Sequence, residues 1–427
     1  MHSGRTTLVP SAGQPPQFNQ RVTRSTHSER EPPVPEQRPS PAVGENIAIF
    51  RKTRVPAVTQ DSLARRARIS VSLLSKIETG DRVASPPVVA AIAQALGTTT
   101  ARLYFGSRPD TPVDLDPLRA AVRRYDIADT AREPVKREHL TAALAQAGSL
   151  RAATRYDELS VILPELLADA TTHALATGDP VAWTLLADTY GCAYSLAHRL
   201  GQPDLAEAIT ARQEWATTRT WTPVAYAAAQ WNRAGTFQSA GDYTHGLGIV
   251  ENAVSALAAA NLTDVPATVV QGSLHLRAVT LASRAKDQAA TTDHLRHARA
   301  LARKLPGGDV LIHNLTFGRG NTAMHELASL VELDKPDKAV DMAAAFVPGP
   351  GLRPTRMGHF HINAARAHLA TGDRDAALSS LRAADDVAPQ MARAHPMARE
   401  VGRVLVSMHR RSNPELMVMA ARLGIDT

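Results

Sequence analysis

The sequence predicts an all-α protein, a small helical head followed by an array of helical hairpins. Three observations point that way. Apolar residues supply 44% of the chain but aromatics only 4%, so Ala and Leu must build most of the core. Ala has the best helix propensity and is depleted in strands, so this composition favours closely packed helices. No convincing period-two strand is found, and short Gly-Asp-type turns recur between helical stretches beyond residue 200.

The 427 residues suffice for two or three domains, each with its own core. No apolar run approaches the roughly 18–20 residues of a membrane span. The N-terminus lacks the apolar stretch of a secretory signal. Cys192 stands alone, which excludes an internal disulfide framework and a thiolate cluster for zinc. These features lead us to expect a cytoplasmic protein without a membrane partner. The net charge of +7 is unevenly placed: residues 1–105 hold 14 Lys/Arg against 7 Asp/Glu, and the remainder holds 34 of each. A basic first quarter on a neutral body points to a polyanion partner for that quarter.

Residues 1–42 are rich in Pro, Ser, Gln, Arg and Thr without apolar periodicity, which predicts a disordered tail. An ordered block follows over residues 43–106. The link "SRPDTPVDLDP" marks a domain boundary, with residues 107–157 read as linker and connecting helices and 158–427 as the body.

Within the block, "TQDSLARRARISVSLLSKIETG" (Thr59–Gly80) holds two short apolar patterns. Leu63, Ala64 and Ala67 share one face of a first helix. Leu74 and Ile77 share one face of a second, with Ser70 as its N-cap. A three-residue turn between them is too short for antiparallel packing and forces a steep crossing, the dimensions of a helix-turn-helix. With the following "SPPVVAAIAQALGTTTARLYFG", the block resembles the phage-repressor-like helix-turn-helix family, also called Cro/cI or XRE. That likeness implies five helices, near Glu45–Arg54, Gln60–Arg66, Val71–Thr79, Pro87–Leu96 and Thr100–Tyr104. One position departs from the family pattern: Arg68 stands at a turn site usually held by Gly and often of positive φ, at a cost of about 1 kcal/mol.

The resemblance also implies the contacts. The second helix of the pair enters the major groove, so Ser70, Val71, Ser72, Ser75 and Lys76 are the candidate base contacts. Gln60 matches the family residue that ties helix to phosphate. Lys52, Arg54, Arg65, Arg66, Arg68 and Arg82 are the further candidates for phosphate contact, which positions the protein without reading sequence. Glu78 would be repelled by phosphate and is assigned to structure.

In the body, "HINAARAHLATGDRDAALSSLRAADDVAP" (His361–Pro389) reads as helix, Gly372-Asp373 turn, helix and closing Pro. Ala365, Gly372, Ala377, Ala384 and Pro389 fall where a tetratricopeptide repeat (TPR) places its small residues, turn and proline, and the unit resembles that family. Weaker copies surround Gly201-Gln202, Gly241-Asp242, Lys286-Asp287 and Asp334-Lys335, at spacings of 40, 45, 48 and 38 residues. The array is therefore TPR-like with enlarged repeats; a non-repetitive bundle is the alternative. If the repeats hold, the first helix of each hairpin lines the concave face. Trp231, Gln238, His198, Asn321, His359 and Arg366 then point inward as candidate effector contacts.

The whole layout resembles the peptide-sensing repressors of Gram-positive bacteria. It implies a transcriptional regulator: double-stranded DNA as partner, a homodimer on a palindromic operator, and a peptide or small-molecule effector. Lys is scarce beside Arg (7 against 41), as in a high-GC bacterial genome, where the sensed molecule could differ. The rival reading is a TPR-type interaction scaffold with a vestigial head, against which the polar face of Ser70, Ser72, Ser75 and Lys76 speaks. His359/His361 and His294/His297 lack a third metal ligand at suitable spacing. "GRGNTAMHE" lacks the Lys-Ser/Thr of a phosphate-binding loop, and no Ser or Cys sits in a nucleophile elbow. Neither a metal, a cofactor nor an active site is expected.

Overall fold

The computed structural model describes residues 42–106, 113–128, 131–409 and 413–425. The expected tail, but for residue 42, and most of the Pro/Asp-rich link lie outside them. The described chain is helical nearly throughout.

The head holds α1 (Val43–Lys52), α2 (Gln60–Arg66), α3 (Val71–Glu78), α4 (Pro86–Leu96) and α5 (Thr100–Phe105). Its core joins Ile47, Leu63, Leu74, Ile77, Ile92 and Leu103. Local chemistry sets the boundaries. Thr59, Ser70 and Thr99 each turn a hydroxyl onto the backbone N–H three residues on, capping α2, α3 and α5. After α2, Arg68 takes a φ of 54° and Ile69 N–H returns to Ala64 O at 3.0 Å. That left-handed cap swings the chain sharply into α3.

The body opens with α6 (Asp116–Arg123). Six helical hairpins follow: α7/α8 (Arg137–Ala152, Tyr156–Thr177), α9/α10 (Pro180–Arg199, Pro203–Thr217), α11/α12 (Pro223–Ala240, Tyr243–Ala259), α13/α14 (Val265–Arg284, Gln288–Ala302), α15/α16 (Arg319–Glu332, Pro336–Ala345) and α17/α18 (Pro354–Ala370, Arg374–Val387). The chain closes with α19 (Pro389–Ala394), α20 (Pro396–His409) and α21 (Pro414–Arg422).

Each of the five turns read from the sequence joins one of these hairpins, and all five are built alike. Gly201, Gly241, Lys286, Asp334 and Gly372 take φ between 57° and 88°. The next residue's N–H returns to the carbonyl five residues back, at 2.9 or 3.0 Å, which satisfies an orphan carbonyl of the ending helix. The second helix then starts in one of two ways. Asp242, Asp287 and Asp373 cap it through a carboxylate, or a proline (Pro203, Pro336) occupies its first turn, where no N–H is needed. Thr154 (φ 61°) makes a sixth such turn between α7 and α8, with no Gly or Asp to announce it. In consequence Leu118, Val122, Leu140 and Leu150 share the core of α8 and α9, so α6 and α7 are part of the body where the sequence had suggested connecting helices.

One element differs from expectation. Strands β1 (Val310–Ile312) and β2 (Leu315–Phe317) form an antiparallel hairpin between α14 and α15. Its two-residue turn, His313-Asn314, has φ of 46° and 62°, as a type I′ turn requires. Phe317 is fully buried on α13 at Gly272, where an added Cβ would stand 2.1 Å from the ring. At the base of the hairpin, the Asp309 carboxylate accepts from Gly320 N and Asn321 N, capping α15. At its tip, His313 Nδ1 lies 2.8 Å from Asp188 Oδ1, and Asn314 Nδ2 donates to Asp188 O at 2.8 Å. The hairpin thus reaches from α13 to α9.

The head rests on the body. Thr100 Oγ1 donates to Ser239 O at the end of α11, Val43 N–H donates to Glu400 Oε1 of α20 at 3.4 Å, and Tyr104 packs against both cores.

Candidate DNA-reading face and central cavity

Helix α3 buries Leu74 and Ile77 and turns the opposite side outward. Ser70, Val71, Ser72 and Lys76 are exposed and Ser75 is half-buried, so the five candidate base contacts share one accessible face. Ser70 Oγ accepts from Leu73 N at 3.1 Å; its own hydroxyl hydrogen is left to donate.

A buried charge cluster holds this face in place. Arg51 donates to both Glu78 oxygens, each at 2.8 Å, and to Val58 O at 2.9 Å. Gln60 Nε2 adds a third bond to Glu78 at 2.8 Å. Burial pushes the Glu78 carboxyl up, but the bonds from Arg51 and Gln60 outweigh it and hold the group below its ordinary value. Helices α1, α2 and α3 are thereby locked together by one carboxylate.

Two candidate phosphate contacts have other partners here. The amide nitrogen of Gln60 serves Glu78, and Arg54 donates to Leu96 O and Gly97 O, capping the C-terminus of α4. Both are stronger local attractions than a solvated position offers, because buried or terminal acceptors need a donor. Lys52, Arg65, Arg66, Arg68 and Arg82 are exposed, with Arg65 in a surface pair with Asp61.

In the body, Trp231, Gln238, His198, Asn321, His359 and Arg366 all line a single cavity of about 380 Å³. The first helix of all six hairpins (α7, α9, α11, α13, α15 and α17) contributes to it. Arg277 organises one wall: it stacks 3.6 Å above the Trp231 ring and donates to Gln238 Oε1 at 2.7 Å. Trp231 Nε1 donates to Ser273 O at 3.0 Å. His198 Nε2 lies 2.9 Å from Ser239 Oγ, beside the Thr100 contact. Asn321 Nδ2 donates to Thr316 O at 2.6 Å. Arg366 donates to Glu332 Oε1 at 3.0 Å, with Arg284 Nε 3.6 Å from the same oxygen. Burial drives the His198 and His359 imidazoles well below their ordinary value, with Arg199 adding to it, so both are neutral near pH 7.

Residues 42–103 match the family model described as a helix-turn-helix domain. This segment is a helix-turn-helix domain. Two solved structures are similar to longer stretches at low identity. The crystal structure of Bacillus thuringiensis PlcR in complex with the peptide PapR7 and DNA is 15% identical, with a TM-score of 0.25, over 61% of this chain and 94% of that one. The P58(IPK) TPR domain is 11% identical, with a TM-score of 0.20, over 87% of this chain and 99% of that one. Among curated proteins, none matches the chain.

The helix-turn-helix domain is itself part of the cavity. Thr100, Tyr104 and Phe105 of α5 line it opposite the body helices. Burial pushes the Tyr104 phenol up, and the charges of Arg284, Glu332 and Glu400 act on it. Sequence reading missed this wall, and missed Arg151, Arg199, Arg277 and Arg356 of the lining. Cys192 is fully buried, its thiol pushed up to about 11 by burial, which makes it an inert packing residue rather than a nucleophile. Among the described residues no group of three or more His, Cys, Asp or Glu is placed to hold a metal. No described helix is long and apolar enough to cross a membrane.

Proposed function

We propose that the chain is a sequence-specific transcriptional regulator that binds operator DNA as a homodimer and senses an effector in its central cavity. The observation that carries this reading is the outward face of α3. With the helix-turn-helix domain docked on the body, Ser70, Val71, Ser72 and Lys76 remain exposed, so the docked protein can enter a major groove. Lys76 suits guanine acceptors, Ser72 and Ser75 suit either kind of edge, and Val71 suits a thymine methyl. Lys52, Arg65, Arg66, Arg68 and Arg82 supply phosphate contacts. One recognition helix reads few base pairs, which is the physical reason for two copies on a two-fold-symmetric site. Sensing works by linkage: a cavity ligand that touches α5 favours one position of the head over others, and so shifts DNA affinity.

In vitro selection of genomic fragments at near-physiological salt tests this, with wild type beside Ser72→Ala/Lys76→Ala. The expected result is a two-fold-symmetric motif that the variant relaxes, each lost base contact removing about 1–3 kcal/mol of discrimination. Unenriched binding that fades steeply with salt in both proteins would reduce the interaction to phosphate attraction and sink the proposal. A second variant separates positioning from reading. Arg68→Gly relieves a left-handed conformation that costs about 1 kcal/mol, so the head should stay folded. Affinity should fall for all sequences alike, with the salt slope reduced by about 1. An unchanged slope would remove Arg68 from the phosphate set.

A further inference from the structure

The lining of the central cavity is unbalanced in charge. Arg151, Arg199, Arg277, Arg284, Arg356 and Arg366 all contribute to it. Against them stands one buried carboxylate, Glu332, which already serves Arg366 and Arg284. Asp204 and Glu207 of the lining are exposed to solvent. Among the described residues, Arg151, Arg199, Arg277 and Arg356 have no carboxylate partner within salt-bridge distance.

Proteins rarely bury cations in this manner, because a charge removed from water needs a counter-charge or hydrogen bonds. Arg151 and Arg277 are each 7% exposed, yet Arg151 Nε, Arg151 Nη2 and Arg277 Nε are buried without a hydrogen-bond partner, as is Arg356 Nε. The phenols of Tyr156 and Tyr194, in the same lining, are buried and unpartnered too. Burial lowers Arg356 to about 9 and Arg277 to about 10, and neighbouring guanidinium groups add to both shifts. Both therefore remain cationic at pH 7. Four cations and two phenols, contributed by α7, α8, α9, α13 and α17, converge on one cavity, where Arg151, Arg277, Arg356 and both phenols each keep a buried donor unused. Apolar side chains (Phe105, Met324, Phe360, Met397) complete the lining.

We propose that the cavity is the receptor site for an acidic small molecule, a carboxylate or phosphate with an apolar portion, whose anionic groups are held by Arg151, Arg199, Arg277 and Arg356. The assignment rests on the effector-sensing reading above and gives that effector its chemical class. A volume of about 380 Å³ falls in the range of small-molecule pockets. Planar guanidinium groups pair with carboxylate or phosphate in two parallel bonds, which matches the unused donors. The apolar remainder of such a molecule would reach Phe105 and so touch the head directly.

The test uses the full-length protein without DNA and two fluorescent probes that share one ring system. Anilinonaphthalene sulfonate carries an anion, and N-phenyl-1-naphthylamine does not. The sulfonate is expected to bind at one site per chain about tenfold or more tightly than the neutral probe. Arg151→Met and Arg356→Met should each weaken the sulfonate by about tenfold and leave the neutral probe unchanged. Both variants should also raise the thermal midpoint of the unliganded protein, because each removes an uncompensated buried cation. A merely structural arginine would lower it, so this second reading is decisive even where probe binding fails. Displacement by inorganic pyrophosphate or by citrate then tells a phosphate ligand from a carboxylate. Equal binding of the two probes, or variants that melt earlier and keep the sulfonate, would overturn the assignment. No step involves DNA, so a failed operator selection beside a positive probe result would reject the regulator and keep the anion site.

Discussion

A Glu78→Ala variant is expected to lose about 3 kcal/mol of stability in the helix-turn-helix domain, and specific DNA binding with it. The side chains of Glu78 and Arg51 are only 7% and 11% exposed, so the deletion leaves a guanidinium buried with Val58 O as its remaining acceptor. It also strands the Gln60 amide. A domain of this size holds on the order of 3–9 kcal/mol in all, so the loss is a large share. The effect has a definite pH signature. Because the folded value of Glu78 lies below its ordinary 4.5, its contribution is present above about 4.5 and is lost as pH falls through the lowered value. Wild type should show an acid-limb loss in the head that the variant lacks. Hydrogen exchange across α1–α3, with DNA titration beside it, is the measurement. Protection and affinity equal to wild type would refute the role given to this carboxylate.

Removing Glu332 should cost the body still more, about 3–5 kcal/mol at pH 7. The carboxylate is 4% exposed and lies between Arg366 and Arg284 in a lining already rich in cations. Burial alone would raise its value, but Arg366 and Arg284 pull it below the ordinary range. Its stabilisation is thus complete above the ordinary carboxylate value and fades as pH falls through the folded one. Denaturant titration of wild type and Glu332→Ala should accordingly show a wide gap at pH 7 that narrows in acid. Added pyrophosphate should restore part of the loss by supplying the missing negative charge. A gap of the same width at both pH values would mean that shape, not charge, is what Glu332 contributes.

Much of this molecule was legible in its sequence, for reasons specific to each element. The helices of the head carry their own start signals, Thr59, Ser70 and Thr99, and apolar spacing that closes one small core. Local chemistry of that kind survives translation into a string of letters. The five hairpin turns were readable because Gly-Asp and its substitutes solve one problem, ending a helix in the left-handed region and capping the next. Thr154 solves it with a residue that gives no warning, and the sixth hairpin went unseen. The strands were missed because three residues each are too short to establish a period of two. The Asn in "VLIHNLTF" was the available signal for a type I′ turn. The inward face of the body could be anticipated from helix order, and all six nominated residues line the cavity. The arginine cluster could not, since Arg151, Arg199, Arg277 and Arg356 are separated by up to 205 residues and look individually like surface charges. Gln60 and Arg54 were ambiguous for the converse reason, because each has a nearby acceptor that only the packed structure reveals.

The β1–β2 hairpin has a mechanical consequence. A stack of helical repeats behaves as a spring, because each unit touches only its neighbours and bending is shared along the whole length. Here a strut crosses the coils: anchored by Phe317 on α13 and by Asp309 on α15, it grips Asp188 of α9 through His313 and Asn314. The coils between α9 and α13 are braced and lose much of their compliance. Flexure is left to the stretches on either side, so a load applied at the head is borne by discrete joints and not by uniform stretching.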